Sequence, residues 1–292
     1  MTISHFTVVV IGEDVDGQLE PYNENLEVEP YWDLELTNPS EYYRYAELVS
    51  EHTEEGVSLT KGQPLEVNIT MQDVINSFPP IEREDYRVTA EGALERRSTY
   101  NPHSKWDWWV IGGRWEGFFL HVDGRRVDQL LNRDWDRVVQ REMARADAAM
   151  SFDKFEQATK GLPHPHSFTN IVERLEVDMP RDEAIRRARP EYHDQPFIKA
   201  LAENELMPWL DDPLEVWHLN AENPREAYIT SAMLGCAVPF AYVKDGEWHE
   251  RGRMGWFAMA RDEVDEDVWN VEVNRVYDSL DDEMLTNCDC HI

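Results

Sequence analysis

AVPFAYVKDGEWHERGRMGWFAMARDEVDEDVWNVEVNRVYDSLDDEMLTNCDCHI, residues 237–292, is the stretch whose reading decides the fold class. An apolar run over 237–243, the turn Lys244-Asp245-Gly246-Glu247 and a second run over 248–251 make a hairpin. Residues 254–260 read as a strand, 265–280 as a helix and 284–292 as a final strand. A hairpin joined to a strand–helix–strand ending predicts an α+β fold, with helices on one face of a mainly antiparallel sheet.

Working outward, residues 5–11 form a Val-rich run ending at Gly12, which reads as a buried strand, and 12–33 is an acidic, Pro-containing loop. Asn38 and Pro39 open a helix with Tyr42, Tyr45, Ala46 and Val49 on one face, followed by a polar loop over 51–63. Thr70 and Asp73 open a short helix through Met71, Val74, Ile75 and Phe78, stopped at Pro79-Pro80. The charged residues 81–97 carry no clear pattern. Asp123-Gly124 turns a hairpin over 117–127. Asp134 caps the longest helix, which runs towards Gly161 with Trp135, Val138, Val139, Met143 and Ala146 inward. Shorter helices are expected near 181–188, 197–203 and 224–233. The expectation is one domain over 1–292, with the His- and Pro-containing break at 162–167 as the place for a subdivision. Gly113-Arg114-Trp115 before Gly117-Phe118-Phe119 is echoed by Gly252-Arg253-Met254 before Gly255-Trp256-Phe257, a pattern that two related halves or coincidence would produce.

Charge bounds the partners. The chain has 28 Lys and Arg against 59 Asp and Glu, a formal net charge of −31. That field repels nucleic-acid backbones and anionic lipid, so direct nucleic-acid binding and membrane association are not expected. It leaves solubility, a basic partner such as a host or defence protein, or mimicry of a phosphate array. Residues 1–56 carry fourteen acids and one base, whereas twelve bases meet eleven acids over 83–145. No apolar run approaches the roughly 20 residues that span a bilayer, and the start lacks a basic leader, so a cytoplasmic location is expected. Three Cys make no disulfide framework, in keeping with a reducing compartment.

The least acidic region holds the densest aromatic cluster. In TYNPHSKWDWWVIGGRWEGFF, residues 99–119, four of the eleven Trp surround Gly112-Gly113-Arg114. Indoles offer flat faces for stacking a ring, and Arg114 and Lys105 offer charge to an anionic group. The candidate ligand-binding residues are therefore Lys105, Trp106, Trp108, Trp109, Arg114 and Trp115, for a nucleotide-like or other anionic aromatic molecule. A core folded over a tight turn is the competing reading. Gly112-Gly113 is not a phosphate loop, because no Gly-rich run surrounds it.

The final strand places Asp289 and His291 on one face and Cys288 and Cys290 on the other. His5 lies in the first strand, with Thr7 on its face. If the two strands are neighbours, His5, Asp289 and His291 converge as candidate catalytic residues for proton transfer or metal ligation. Cys288-x-Cys290-His291 with a remote Cys236 lacks zinc spacing, so a structural zinc is not expected; no metal ligands are assigned and the cofactor is unknown. Thr286-Asn287-Cys288 is polar for a buried strand.

Three segments together resemble a family of accessory proteins of tailed bacteriophages and prophages. These are Ser4-His5-Phe6-Thr7-Val8, the run from Tyr100-Asn101-Pro102 through Ser104-Lys105-Trp106-Asp107-Trp108 to Gly112-Gly113-Arg114-Trp115, and Asp289-Cys290-His291-Ile292. The resemblance implies a phage accessory protein acting in the host cytoplasm, in host takeover or anti-defence, and carries no mechanism with it. Two functions fit: a small-molecule site, hydrolytic or signal-binding, or a non-enzymatic acidic inhibitor of a host or defence protein that works through surface electrostatics.

Overall fold

The structure is a computed structural model that describes residues 5–36, 71–78, 80–208, 212–254 and 260–292. It is α+β, with mostly antiparallel strands. The chain packs into two compact units, Met1–Leu19 with Trp108–Ile292, and Glu20–Asp107, so the division falls elsewhere than at 162–167.

The larger unit is built on a six-stranded mixed sheet. Its order is Glu247–Glu250, Ala241–Lys244, His5–Ile11, Met284–His291 and Trp108–Ile111, with Gln129–Leu131 also pairing the Met284–His291 strand. The first and last strands run antiparallel at its centre, with His5 opposite His291 and Ile11 opposite Leu285. His5–Ile11 also pairs Ala241–Lys244 in parallel. Both central strands are buried on both faces; His5–Ile11 reads accordingly as a near-continuous apolar run, whereas Met284–His291 is buried despite its polar residues. Polar Thr286 and Asn287 are fully buried with them. Asn287 is stabilised there by donating through Nδ2 to Trp115 O at 3.2 Å and to Asp128 Oδ1 at 3.1 Å.

The helix Glu266–Ser279 covers one sheet face, capped by Asp265, which accepts from the Val268 N–H at 3.2 Å. Its Trp269, Val273 and Tyr277 pack on Val9, Ile11, Tyr242 and Leu285. The longest helix, Arg137–Thr159, is capped by Asp136 rather than Asp134, which lies in a short 3-10 turn. Its inward face also differs from expectation. Gln140, Ala148, Phe152 and Phe155 are buried, whereas Val138, Val139, Met143 and Ala146 are exposed. Gln140 goes inside because its amide completes three bonds: Oε1 accepts from Leu120 N–H and Trp135 Nε1–H at 2.7 and 2.6 Å, and Nε2 donates to Phe118 O at 2.8 Å. Beyond it, helices Phe168–Glu176, Arg181–Asp194, Pro196–Glu203 and Pro224–Leu234 enclose two further apolar clusters, around Trp217 and around Tyr192.

The smaller unit holds a three-stranded antiparallel sheet, with Leu94–Ser98 between Tyr31–Leu36 and Tyr86–Val88. The sequence reading had Tyr31–Asp33 in a loop and no element over 81–97. Charged residues lie opposite one another across these strands: Asp33 is in register with Arg96, and Arg87 meets Glu95 at 2.6 Å while its guanidinium lies over Trp32. The helix Met71–Ser77 packs Met71 and Ile75 on Leu94. The helix expected from Asn38 and the loop over 51–63 lie outside the described residues, as does Gly255-Trp256-Phe257 of the internal echo. The expected strand over 254–260 begins and ends in two short segments, Arg253–Met254 and Ala260–Arg261, that pair with each other. Among the described residues no helix is long and apolar enough to cross a membrane.

Candidate functional site

Strand register builds the site. His5 lies opposite His291 and Thr7 opposite Asp289, while on the other side of the last strand Trp108 lies opposite His291 and Val110 opposite Asp289. Because side chains alternate with period two, His5, Thr7, Asp289, His291 and Trp108 share one sheet face. The ring of His5 sits 5.1 Å from both Trp108 and His291, edge-on to each, and Trp108 stacks on His291 at 5.2 Å. The three candidate catalytic residues are thus brought together, with one indole against them.

Asp289 is the anchor. Its Oδ1 lies 2.6 Å from His5 Nδ1, its Oδ2 accepts the Arg114 N–H at 2.9 Å, and both side chains of the His–Asp pair are nearly excluded from solvent. A carboxylate accepts only, so it holds the His5 proton on Nδ1 and leaves Nε2 as the acceptor. That is the arrangement of an oriented general base.

The Gly112-Gly113 turn wraps two carboxylates. Both residues have positive φ, +73° and +57°. A Cβ on Gly112 would strike the Asp128 carboxylate, and one on Gly113 that of Asp289. Asp128 in turn accepts the Gly117 and Phe118 N–H groups at 3.0 and 3.2 Å. The glycines therefore serve close approach of backbone to protein carboxylates.

A cleft of about 300 Å³ opens beside His5 on this face. Thr7, Trp115, Phe240, Arg251 and Asn270 are among its lining residues. Arg251 bonds Glu263 at 2.7 Å through Nη2 and lies 4.0 Å from Glu266 through Nη1. A larger open hollow of about 940 Å³ adjoins it, sharing Gly235, Arg251 and Glu266, and is rimmed by Glu215, Asp265 and Asp267. That hollow does not reach His5, which lines only the smaller cleft.

The other candidates fall in different places. Trp109, opposite Cys290, is on the reverse face from Trp108 and is half-buried. Arg114 contributes its backbone to Asp289, and its side chain is exposed. Lys105 and Trp106 belong to the smaller unit, where Trp106 is buried and Asn101 staples the chain by donating to Pro21 O and Asn23 O at 2.7 and 3.0 Å. The Tyr100-Asn101-Pro102 part of the motif is therefore a structural clasp. Cys288 and Cys290 are buried; burial, with Asp128 and Asp16 nearby, pushes the Cys288 thiol up to about 12, and burial holds Cys290 well above its usual range. Such thiols are inert rather than nucleophilic. Among the described residues no group of three or more His, Cys, Asp or Glu side chains is placed to hold a metal ion.

Thr7 was legible from strand alternation. Asp128, Arg251 and Asn270 were not, because they sit in no local motif and reach the site only through the fold. Comparison with protein-family models, with curated proteins and with solved structures finds no match to this chain, so its function is argued from the site's own geometry.

Proposed function

We propose that the larger unit carries a small-molecule site of a phage-type accessory protein, binding a nucleotide-like or other anionic aromatic molecule. The observation that carries this reading is the 2.6 Å contact between His5 Nδ1 and Asp289 Oδ1, sequestered beside a cleft walled by an indole. In it, His5 Nε2 accepts a proton from the ligand or from an attacking water, and Asp289 fixes the tautomer. Trp115 and Trp108 offer ring faces, and Arg114, whose guanidinium makes no ion pair among the described residues, meets the anionic group at the surface. Hydrolysis or capture of a nucleotide signal both use this set.

The acidic rim of the larger hollow and the net charge of −31 favour a second reading, a non-enzymatic inhibitor that engages a basic surface of a host or defence protein. A thermal-shift panel of mono-, di- and cyclic nucleotides separates the two. The site reading expects one of them to raise Tm, with the rise lost in Arg114→Ala and His5→Gln while the ligand-free Tm of Arg114→Ala is unchanged. Activity in vivo that survives both substitutions but not neutralisation of the acidic rim would reject it.

A further inference from the structure

Two of the residues that line the cleft beside His5 carry buried donors with no partner among the described residues. Arg251 Nε and Asn270 Nδ2 are both sequestered and make no hydrogen bond among the described residues; both residues line the cleft, and Asn270 is only 2% exposed. Unpaired buried N–H groups are costly in a native protein, and a pair of them in one cleft is best explained by an acceptor that arrives with a ligand.

The charge around them selects the kind of acceptor. Arg251 is already balanced by Glu263 at 2.7 Å and faced by Glu266 at 4.0 Å, and Glu266 itself lines the cleft. A phosphate or carboxylate placed at Nε would sit among carboxylates, in a chain with a net charge of −31. A carbonyl oxygen carries two lone pairs and no charge, so it satisfies the donors without that repulsion. The remaining walls are flat and apolar: Trp115, Phe240 and Trp269 line the same space, with the Arg251 guanidinium over the Phe240 ring. A volume of about 300 Å³ is at the small end of ligand sites.

We propose that this cleft takes the neutral, carbonyl-bearing edge of a flat ring, of the pyrimidine-base or cyclic-amide type, with Arg251 Nε and Asn270 Nδ2 donating to its oxygens. The inference rests on reading the cleft as the ligand site and reverses the expected polarity inside it. The ring enters with its uncharged edge, and any anionic group stays outside.

The test uses the full chain and four probes: uridine, 2-pyridone, pyridine and inorganic phosphate, followed by NMR of the Arg Nε–H and Asn side-chain amide resonances. Uridine and 2-pyridone should move the Arg251 and Asn270 signals, and phosphate should not. Arg251→Lys and Asn270→Asp, each checked for fold by circular dichroism, should weaken uridine about tenfold. Should either variant fail to fold, wild-type affinities decide, with 2-pyridone expected to bind at least about tenfold tighter than pyridine. Phosphate moving the same signals, pyridine matching 2-pyridone, or silence with both carbonyl probes would overturn the proposal. His5→Gln separates the two readings. Uridine binding that survives His5→Gln but falls in Arg251→Lys keeps the carbonyl assignment and removes His5 from the site, whereas the opposite pattern removes the assignment alone.

Discussion

Gly113 and Asp289 share a space that only one of them can fill. A Cβ on Gly113 would fall inside the Asp289 carboxylate, and Gly113 also has φ +57°. The turn and the His–Asp pair are thus one structural object, although 176 positions separate the two residues in sequence (289 minus 113).

Gly113→Ala should therefore cost at least about 2 kcal/mol, combining left-handed strain with displacement of Asp289. Gly124 is the control, since its φ is +85° but a Cβ there meets nothing within 4 Å. Gly124→Ala should cost only about 1 kcal/mol. Urea denaturation of both variants measures the difference, and equal losses would mean that close packing on Asp289 is unimportant.

Asp289→Asn offers one carbonyl oxygen where two donors, His5 Nδ1 and the Arg114 N–H, now find partners. Either one bond is lost, at a cost of about 1–3 kcal/mol, or the His5 tautomer inverts so that Nδ1 accepts from the new amide and Nε2 no longer serves as an acceptor. A double-mutant cycle with His5→Gln should show coupling of about 0.5–3 kcal/mol, as expected for residues in contact. Simple additivity in that cycle would dissolve the pair as an energetic unit.

Gln140→Leu tests the buried amide that turns the longest helix inward. It strands the Leu120 N–H, the Trp135 indole N–H and the Phe118 carbonyl together. The loss should reach about 3 kcal/mol or more. Val139→Ala on the exposed face of the same helix should stay within about 0.5 kcal/mol.

Stability should decline at alkaline pH. The Cys288 thiol ordinarily titrates near 9.0 but is pushed up to about 12 by burial and by Asp128 and Asp16. Burial, with Asp212, likewise raises the Tyr192 phenol from 10.0 to about 12. Above pH 9 the unfolded chain sheds protons that the folded chain keeps, so rising pH favours unfolding. The contribution is complete below about pH 9 and is lost towards pH 12, at no more than about 1.4 kcal/mol per pH unit for each group. Denaturation midpoints at pH 7, 9 and 10.5 check this, and Cys288 and Cys290 should resist iodoacetamide at pH 8 unless the chain is unfolded.

Much of the larger unit was legible because its central strands are runs such as Val8-Val9-Val10, and because Lys244-Asp245-Gly246-Glu247 marks a hairpin. Face alternation also put Asp289 and His291 on one side. What the residues could not reveal is where a pattern has more than one physical cause. Gly112-Gly113 lies among the candidate ligand-binding Trp, and it approaches two carboxylates of the chain itself. Trp108 and Trp109 read as one aromatic wall, yet adjacent strand residues point to opposite faces. The longest helix was phased by its apolar residues, when a buried glutamine sets the phase. The strands of the smaller unit were hidden because cross-strand charges, such as Asp33 opposite Arg96, leave no apolar alternation. Arg251 and Asn270 gave no signal at all, since an unpaired donor exists only in three dimensions.

The contact between His5 and Asp289 closes a loop of 284 residues. The centre of the sheet thus depends on the least local pairing within this chain, and such pairing is slow because loop-closure entropy must be met before any contact rewards it. The segment Glu20–Asp107 forms a compact unit by itself and emerges from the ribosome long before Met284–His291. Folding of the larger unit is therefore post-translational with respect to residue 284. A chain cut before that point loses the middle strand of the sheet and the carboxylate that pairs with His5 in the same stroke.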